Sequence, residues 1–493
     1  MPDSNSASVS REARSGLDPW RPAELPAPPS PKGLQWLGVV GPGVIVLGVS
    51  IGGGEFLLGP AAFVRYGLSL LWVTLVAVFF QTLFNTELMR YTVATGEPVF
   101  TGFMRTRPAP VFWAWFYSIL YFLQTGWPAS AGVAAGAIFY LFARRLPGPP
   151  DTAAVYQIGV ATFVACVVVL LAGRRIERTL ELVNWILVVC ILGSFSLMAI
   201  LFVPPTTMLA AAAGLVGFDT ANSAFRFIPP GVDFFLLAAL VGYSGAGGMV
   251  NITLSNWARD KGYGMSERTG YIPAAVGGRK VNLAHTGFIF KPGPESIKRW
   301  RGWWRIVAAD QWGVFFCGAV LGMLLPAVLY VTFLPPGADI QGLGVSAALA
   351  NAVGAGYGPL LAGVIAFLGA WLLFKTQLDI VDGMTRSITD MLWTGSSRLR
   401  SWRGGDVRAV YYTVLTIICL WGIFALRLAQ PIILLKLAAN VASVVFVIAS
   451  LHLLHINTRL LPSELRPPLW RKAGLCCMAL FYGCFVALSI GTL

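Results

Sequence analysis

Four consecutive residues, Gly52-Gly53-Gly54-Glu55, stand inside an apolar stretch that runs from Gly41-Pro42-Gly43 to Gly59-Pro60. Each glycine costs a helix interior about 1 kcal/mol relative to alanine, so three together predict unwound backbone. At membrane depth such backbone survives only where it lines a cavity or is buried in protein. A carboxylate at that depth marks an ion or substrate pathway by default. Glu55 is therefore expected to be a cation (metal) ligand or proton acceptor, with the carbonyls of Gly52, Gly53 and Gly54 beside it.

A second apolar stretch, from Phe234 to Thr253, is interrupted by Gly242, Gly245, Gly247 and Gly248 and is followed by polar residues. Ser244, Gly245, Gly248 and Asn251 are the binding candidates there. Close packing through small residues is the competing reading, but it leaves Glu55 unexplained. A third set lies in the segment Lys375 to Arg386. Lys375 with Asp379, and Asp382 with Arg386, are spaced i, i+4 and can meet on one helix face. Either the pairs neutralise each other, or Thr376, Asp379 and Asp382 (with Glu55) handle a coupling Na+ or a proton. Glu87 with Arg90, and Arg259 with Asp260, read as structural or gate pairs. Asn440 and Ser443 either face the cavity or hydrogen-bond between helices.

These residues need a scaffold that carries them across a bilayer. The chain has 493 residues, of which 56% are hydrophobic and 12% charged, with mean hydropathy +0.70. Soluble proteins carry about 25% charged residues, so the composition predicts an all-α polytopic membrane protein. Spans of about 20 apolar residues fall at eleven places: 34–63, 67–90, 111–142, 153–172, 179–203, 232–256, 311–334, 356–384, 409–428, 431–455 and 472–491. Only Arg65, Arg144, Arg145, Arg226 and Arg427 fall in the loops of one side, and most other basic residues fall in those of the opposite side. The positive-inside rule then puts the N-terminus in the cytoplasm and the C-terminus outside, in a plasma (cell inner) membrane. The net charge of +14 lies between apolar spans, which argues against nucleic acid as a partner. The bilayer and a small ion or solute are the partners expected. The oligomeric state is left open, and a monomer is compatible with the sequence.

The interrupted spans are the first and the sixth, five apart, as an inverted repeat of five plus five spans requires. That divides the chain into a disordered cytoplasmic tail (1–33) and a first repeat (34–203). An extracytoplasmic loop (204–231), a second repeat (232–455) and an eleventh helix (456–493) follow. The basic, Trp-rich cytoplasmic loop 257–310 is expected to lie along anionic headgroups. The seven cysteines show no metal-ligand spacing and read as small buried hydrophobes. His285, His452 and His455 are too scattered for a histidine metal centre.

Several of these segments resemble the Nramp family of divalent-metal transporters, which has the inverted-repeat fold of the bacterial leucine transporter. The likeness is carried by Gly41-Pro42 and Ile51 in the first span. It continues in Tyr66-Gly67-Leu68-Ser69-Leu70-Leu71-Trp72-Val73, Gln81 and Thr95-Gly96 in the second, and in Arg174 to Val203 with Ile176-Glu177. The resemblance implies eleven crossings and a cation site at the first and sixth spans, with the eighth as a further source of a coupling site. The metal signature departs. Where the family has Asp-Pro-Gly-Asn this chain has Gly52-Gly53-Gly54-Glu55, and the family's Met-Pro-His falls on Gly248-Met249-Val250. Its acidic proton-handling positions fall on Gly126 and Ala129. Loss of the sulfur ligand disfavours softer metals, whereas a glutamate among carbonyls suits Mg2+, Ca2+ or Mn2+.

The expectation is thus a secondary active transporter of a hard or partly hydrated divalent cation, such as Mg2+ or Mn2+, working by alternating access. A sodium- or proton-coupled symporter of a small organic solute on the same fold is the alternative. No resident cofactor is implied beyond a transported cation or a coupling Na+ or H+. A membrane-embedded enzyme is disfavoured, because paired catalytic carboxylates, a His-rich cluster and a phosphate loop are all missing from the sequence.

Overall fold

The computed structural model describes residues 16–172, 176–269, 286–340 and 342–491. Residues 1–15 of the predicted tail, Arg174 and Arg175, residues 270–285 with His285, and the side chains of Ile176, Glu177 and Arg178 lie outside the described residues.

In a bilayer the backbone must satisfy its own hydrogen bonds, so apolar spans of this length fold as helices. Ten helices among the described residues are long and apolar enough to cross. The helices that build the bundle are, in chain order, α1 (Pro42–Tyr66), α2 (Leu71–Thr95), α3 (Pro110–Thr125), α4 (Ala129–Ala143), α5 (Thr152–Ala172), α6 (Ile176–Phe202), α7 (Phe234–Tyr243), α8 (Met249–Asp260), α9 (Pro294–Phe333), α10 (Pro359–Gly395), α11 (Val407–Ala425), α12 (Pro431–Arg459) and α13 (Leu469–Ile490), with shorter helices such as Pro205–Gly214 and Ala348–Tyr357 between them. Helices α3 and α4 make one bent crossing around Gly126–Pro128. The predicted span 232–256 is not among the ten, because it is cut into α7 and α8.

Helix α1 is the centre of the molecule. Every residue from Pro42 to Val64 is buried, as expected of a helix that is apolar all round. It packs against α6, α9 and α10. The small residues of α4, from Ala129 to Ala137, let α5 and α10 close on it. Outer helices turn large apolar side chains outward, among them Val169, Ile200, Leu201, Leu420 and Leu480. A bilayer solvates such a surface; water does not.

Four expectations need correction. The predicted unwinding at Gly52–Gly54 does not occur: Ile51–Leu58 is π-helical and joins α-helical Pro42–Ser50 to Gly59–Tyr66 without a gap. Wider turns, such as Gly59 N–H to the Gly54 carbonyl, keep the backbone bonded where an unwound loop would leave costly orphan groups. The disordered tail does not extend over residues 16–33. Leu17, Trp20 and Leu25 are buried there, and Arg21–Pro22 pairs in parallel with Phe288–Ile289. Its few apolar residues, diluted by Pro and Ser, carry no periodic signal. The tryptophans of 257–310 turn toward protein rather than along headgroups. Trp257, Trp300 and Trp303 are buried, and the Trp304 ring carries the guanidinium groups of Arg90 and Arg471 at 4.3 and 4.9 Å. Of the cysteines only Cys166 is fully buried; Cys190, Cys317, Cys476, Cys477 and Cys484 sit on outer helix surfaces, where lipid serves an apolar thiol as well as a core does.

Candidate functional site at the crossing of α1 and the α7–α8 break

The chain leaves helical geometry after Tyr243. Ser244 is extended, and Gly245, Gly247 and Gly248 have φ of +99°, +86° and +48°, a region that L side chains rarely adopt. Two glutamines hold the break open. Gln124, at the end of α3, accepts from the Met249 amide at 2.9 Å and donates to the Gly247 carbonyl at 3.0 Å. Gln81 of α2 donates to the Ser244 carbonyl at 2.6 Å and to the Tyr482 hydroxyl at 3.0 Å.

The π segment of α1 crosses this break. Glu55 is fully buried. Its Oε1 accepts from the Ser50 hydroxyl and, at 3.2 Å, from the Gly245 amide. Its Oε2 has no hydrogen-bond partner. The glycines before it are explained by contact rather than by unwinding. A Cβ on Gly54 would run into the Tyr243 carbonyl, and one on Gly52 into the Thr376 hydroxyl. The Thr376 hydroxyl is itself buried without a partner. Further along α8, Asn251 donates to Asn85 Oδ1 at 2.9 Å while its own oxygen has no partner.

The remaining predicted residues separate. Ser244 turns its hydroxyl back onto the Leu240 carbonyl at 2.6 Å, so only its carbonyl serves the break. Asp379 shares the Lys375 ammonium with Asn184, and its Oδ1 has no partner. Both oxygens of Asp382 accept from Arg386 Nε, at 2.8 and 2.9 Å, which closes that pair. Glu87 accepts from Arg90, Arg471 and Asn457, tying α2 to α12 and α13. Arg259 pairs with Asp260 at 2.9 Å and with Asp390 at 3.1 Å, joining α8 to α10. Asn440 does not face the site. Its amide donates to the Phe235 and Lys436 carbonyls, and its oxygen accepts from Ser489. An asparagine inside an apolar helix is expensive unless bonded, and here the neighbouring helices satisfy it.

Sequence reasoning missed Ser50, Asn85, Gln124, Asn184 and Asp310. Ser50, Asn85, Gln124 and Asn184 are polar residues within apolar spans, the one signal that could have flagged them, whereas Asp310 ends the loop 257–310 just before a span and carried no such signal. Among the described residues no three His, Cys, Asp or Glu side chains gather as a metal-holding group. The site instead offers one carboxylate, hydroxyls, amide oxygens and carbonyls. Hard cations accept such donors, keeping some of their water. The site is closed at both ends. Toward the basic end, Lys261 and Tyr263 donate to the Val40 and Val39 carbonyls at 3.1 and 2.7 Å. At the opposite end the Asp233 amide donates to the Tyr66 hydroxyl at 3.0 Å. A groove of 550 Å³ between α4, α5 and the α11–α12 turn, bordered by Tyr156 and Arg427, lies apart from this site.

No protein-family model and no curated protein matches the chain. Solved structures do. Two mutants of the manganese transporter of Eremococcus coleocola superpose with a TM-score of 0.63 at 16% identity. One match covers 94% of this chain and 89% of the transporter, the other 96% and 90%. The same transporter in complex with an aromatic bis-isothiourea substituted compound gives 0.59 at 15% identity, over 94% and 89%. At that identity the likeness is one of fold. The Nramp-like fold implied by the sequence resemblance is thus the fold of this chain.

Proposed function

We propose that the protein is a secondary active transporter that carries a hard or partly hydrated divalent cation, such as Mg2+ or Mn2+, by alternating access. The observation that carries this reading is the free Oε2 of Glu55, wholly buried where α1 meets the α7–α8 break. A buried carboxylate oxygen without a partner is costly, and a cation arriving with its own water would satisfy it. The shared fold supports the reading, because a discontinuous helix, here α7–α8, packed against a helix of the other half serves as the central site around which such halves rock. In this reading the basic end faces the cytoplasm and the first and second repeats move against each other.

A second reading rests on the amide groups around the break. Gln81 Oε1, Asn85 Nδ2 and Asn251 Oδ1 are buried without partners. Such groups would also suit a small polar organic solute, with Glu55 holding its ammonium or a coupling ion.

Uptake of Mg2+, Mn2+ and Ca2+ into proteoliposomes, recorded beside internal pH, tests the proposal. Glu55→Gln is expected to lower divalent uptake by about tenfold or more, equivalent to ~1.4 kcal/mol. Flux indifferent to that change would remove Glu55 from the pathway, and no divalent flux at all would favour the organic solute.

A further inference from the structure

Gly48, Asn184, Lys375 and Asp379 meet where α1, α6 and α10 cross, one helical turn along α1 from the contact of Gly52 with Thr376. All four are buried. The Lys375 ammonium donates to Asn184 Oδ1 and to Asp379 Oδ2. A Cβ on Gly48 would stand 2.7 Å from the ammonium nitrogen and closer still to the Asn184 oxygen. Glycine is what leaves room there.

An ammonium is a compact, strongly hydrated point charge. It is held here by a carboxylate and an amide oxygen, the oxygen donors that hard metal cations also take. Asp379 Oδ1 beside it is a further buried oxygen without a partner, and the Thr376 hydroxyl against Gly52, one turn along α1, is another. The position therefore has the donors of a cation site and already contains a positive charge on a flexible stem. A plain structural ion pair would need neither the third helix nor the glycine on α1.

We propose that Lys375 is a tethered substitute for a coupling cation. Its ammonium ties α6 to α10 against Gly48 of α1 in the closed state, and transport consequently draws on no Na+ or K+ gradient. This rests on the transport reading above. Truncation of Lys375 would leave Asp379 and Asn184 around a vacant, negatively charged space that an alkali cation can enter.

The first test is the unfolding temperature of purified full-length protein in NaCl against choline chloride at equal ionic strength. Wild type is expected to be indifferent. Lys375→Ala is expected to be less stable in choline and to gain about 3 °C in Na+ by mass action. Lys375→Ala combined with Asp379→Asn is expected to lose that gain. In proteoliposomes, wild-type uptake of Mn2+ is expected to be equal in the two salts, while Lys375→Ala is about tenfold faster in Na+ than in choline. A folded Lys375→Ala that ignores alkali cations would overturn the proposal. So would wild type that is stabilised or accelerated by Na+, a result that decides even if the variant does not fold. The unfolding measurement needs no cargo, so a Na+ response in Lys375→Ala beside a wild type that carries no divalent cation at all would refute the divalent reading and leave the tethered cation standing.

Discussion

Gly54 of α1 lies directly against the main-chain carbonyl of Tyr243, the last residue of α7. The π segment of α1 and the end of α7 touch backbone to backbone at that point, which brings the Glu55 carboxylate within reach of the Gly245 amide. A methyl at position 54 has nowhere to go, because the atom it meets belongs to the main chain. Gly54→Ala is expected to cost about 1–3 kcal/mol, as overpacked sites do. Gly53→Ala meets only the Leu435 and Tyr243 side chains, at 3.3 and 3.4 Å. It should cost less, and its helix propensity partly offsets the contact. Unfolding temperatures of the two variants in detergent make the comparison. Equal losses would mean that the backbone contact is not the constraint.

Asp310 caps a helix that is not its own. From α9 it accepts the Gly41 amide at 2.9 Å and the Gly43 amide at 2.8 Å, while Gln311 donates to the same carboxylate at 2.8 Å. These amides open α1 and have no partner within the helix. Asp310→Ala is expected to lower stability by about 1–2 kcal/mol, with Asp310→Asn intermediate because it keeps one acceptor oxygen. Thermal unfolding of the three proteins checks the order, and an Asp310→Ala protein as stable as wild type would dismiss the cap.

Glu97 sits between α2 and α3 and anchors the N-terminal segment. It accepts from Arg105, Tyr91 and the Gly287 amide, and Arg105 in turn donates to the Asp18 carbonyl. Burial pushes the Glu97 carboxyl up, but Arg105 outweighs it and holds the group below the usual carboxylate range. Because the folded value is depressed, the contribution of the pair is fully present above the unfolded value of about 4.3. It is lost as pH falls through the lower folded value. The hydrogen-exchange protection of residues 16–33, taken relative to the intrinsic rate at each pH, should therefore be high at neutral pH and fall on acidification. Glu97→Gln leaves Arg105 buried without its carboxylate, a loss on the order of 3 kcal/mol, so its exchange should already be fast at neutral pH. Equal exchange in the two proteins at pH 7 would show that the pair does not hold the segment.

The closed Asp382–Arg386 pair gives a prediction of little effect on flux. Both carboxylate oxygens accept from Arg386 Nε, so the charge of Asp382 is already neutralised within α10. Asp382→Asn is expected to lower stability through the stranded Arg386 yet to change divalent uptake per folded molecule less than about twofold. A loss as large as that of Glu55→Gln would return Asp382 to the ion pathway.

The chain by itself determined that it spans a bilayer, and it marked the two places where that scaffold departs from α-helical geometry. A bilayer makes composition decisive, because apolar runs of sufficient length can only fold as helices. Glycines and a carboxylate inside them, as at Gly52–Glu55 and Gly245–Gly248, are expensive enough to stand out. The tertiary structure decided what those residues touch. That α1 widens into π turns instead of opening, that Asp310 caps it from α9, and that Lys375 reaches Asn184 on α6 are pairings across the chain. So is the seating of Trp20 under Arg105. Helical periodicity records which face of a helix is apolar and is silent about which distant face will meet it. The chain therefore announced Glu55, and only the packed helices showed that one of its oxygens is left without a partner.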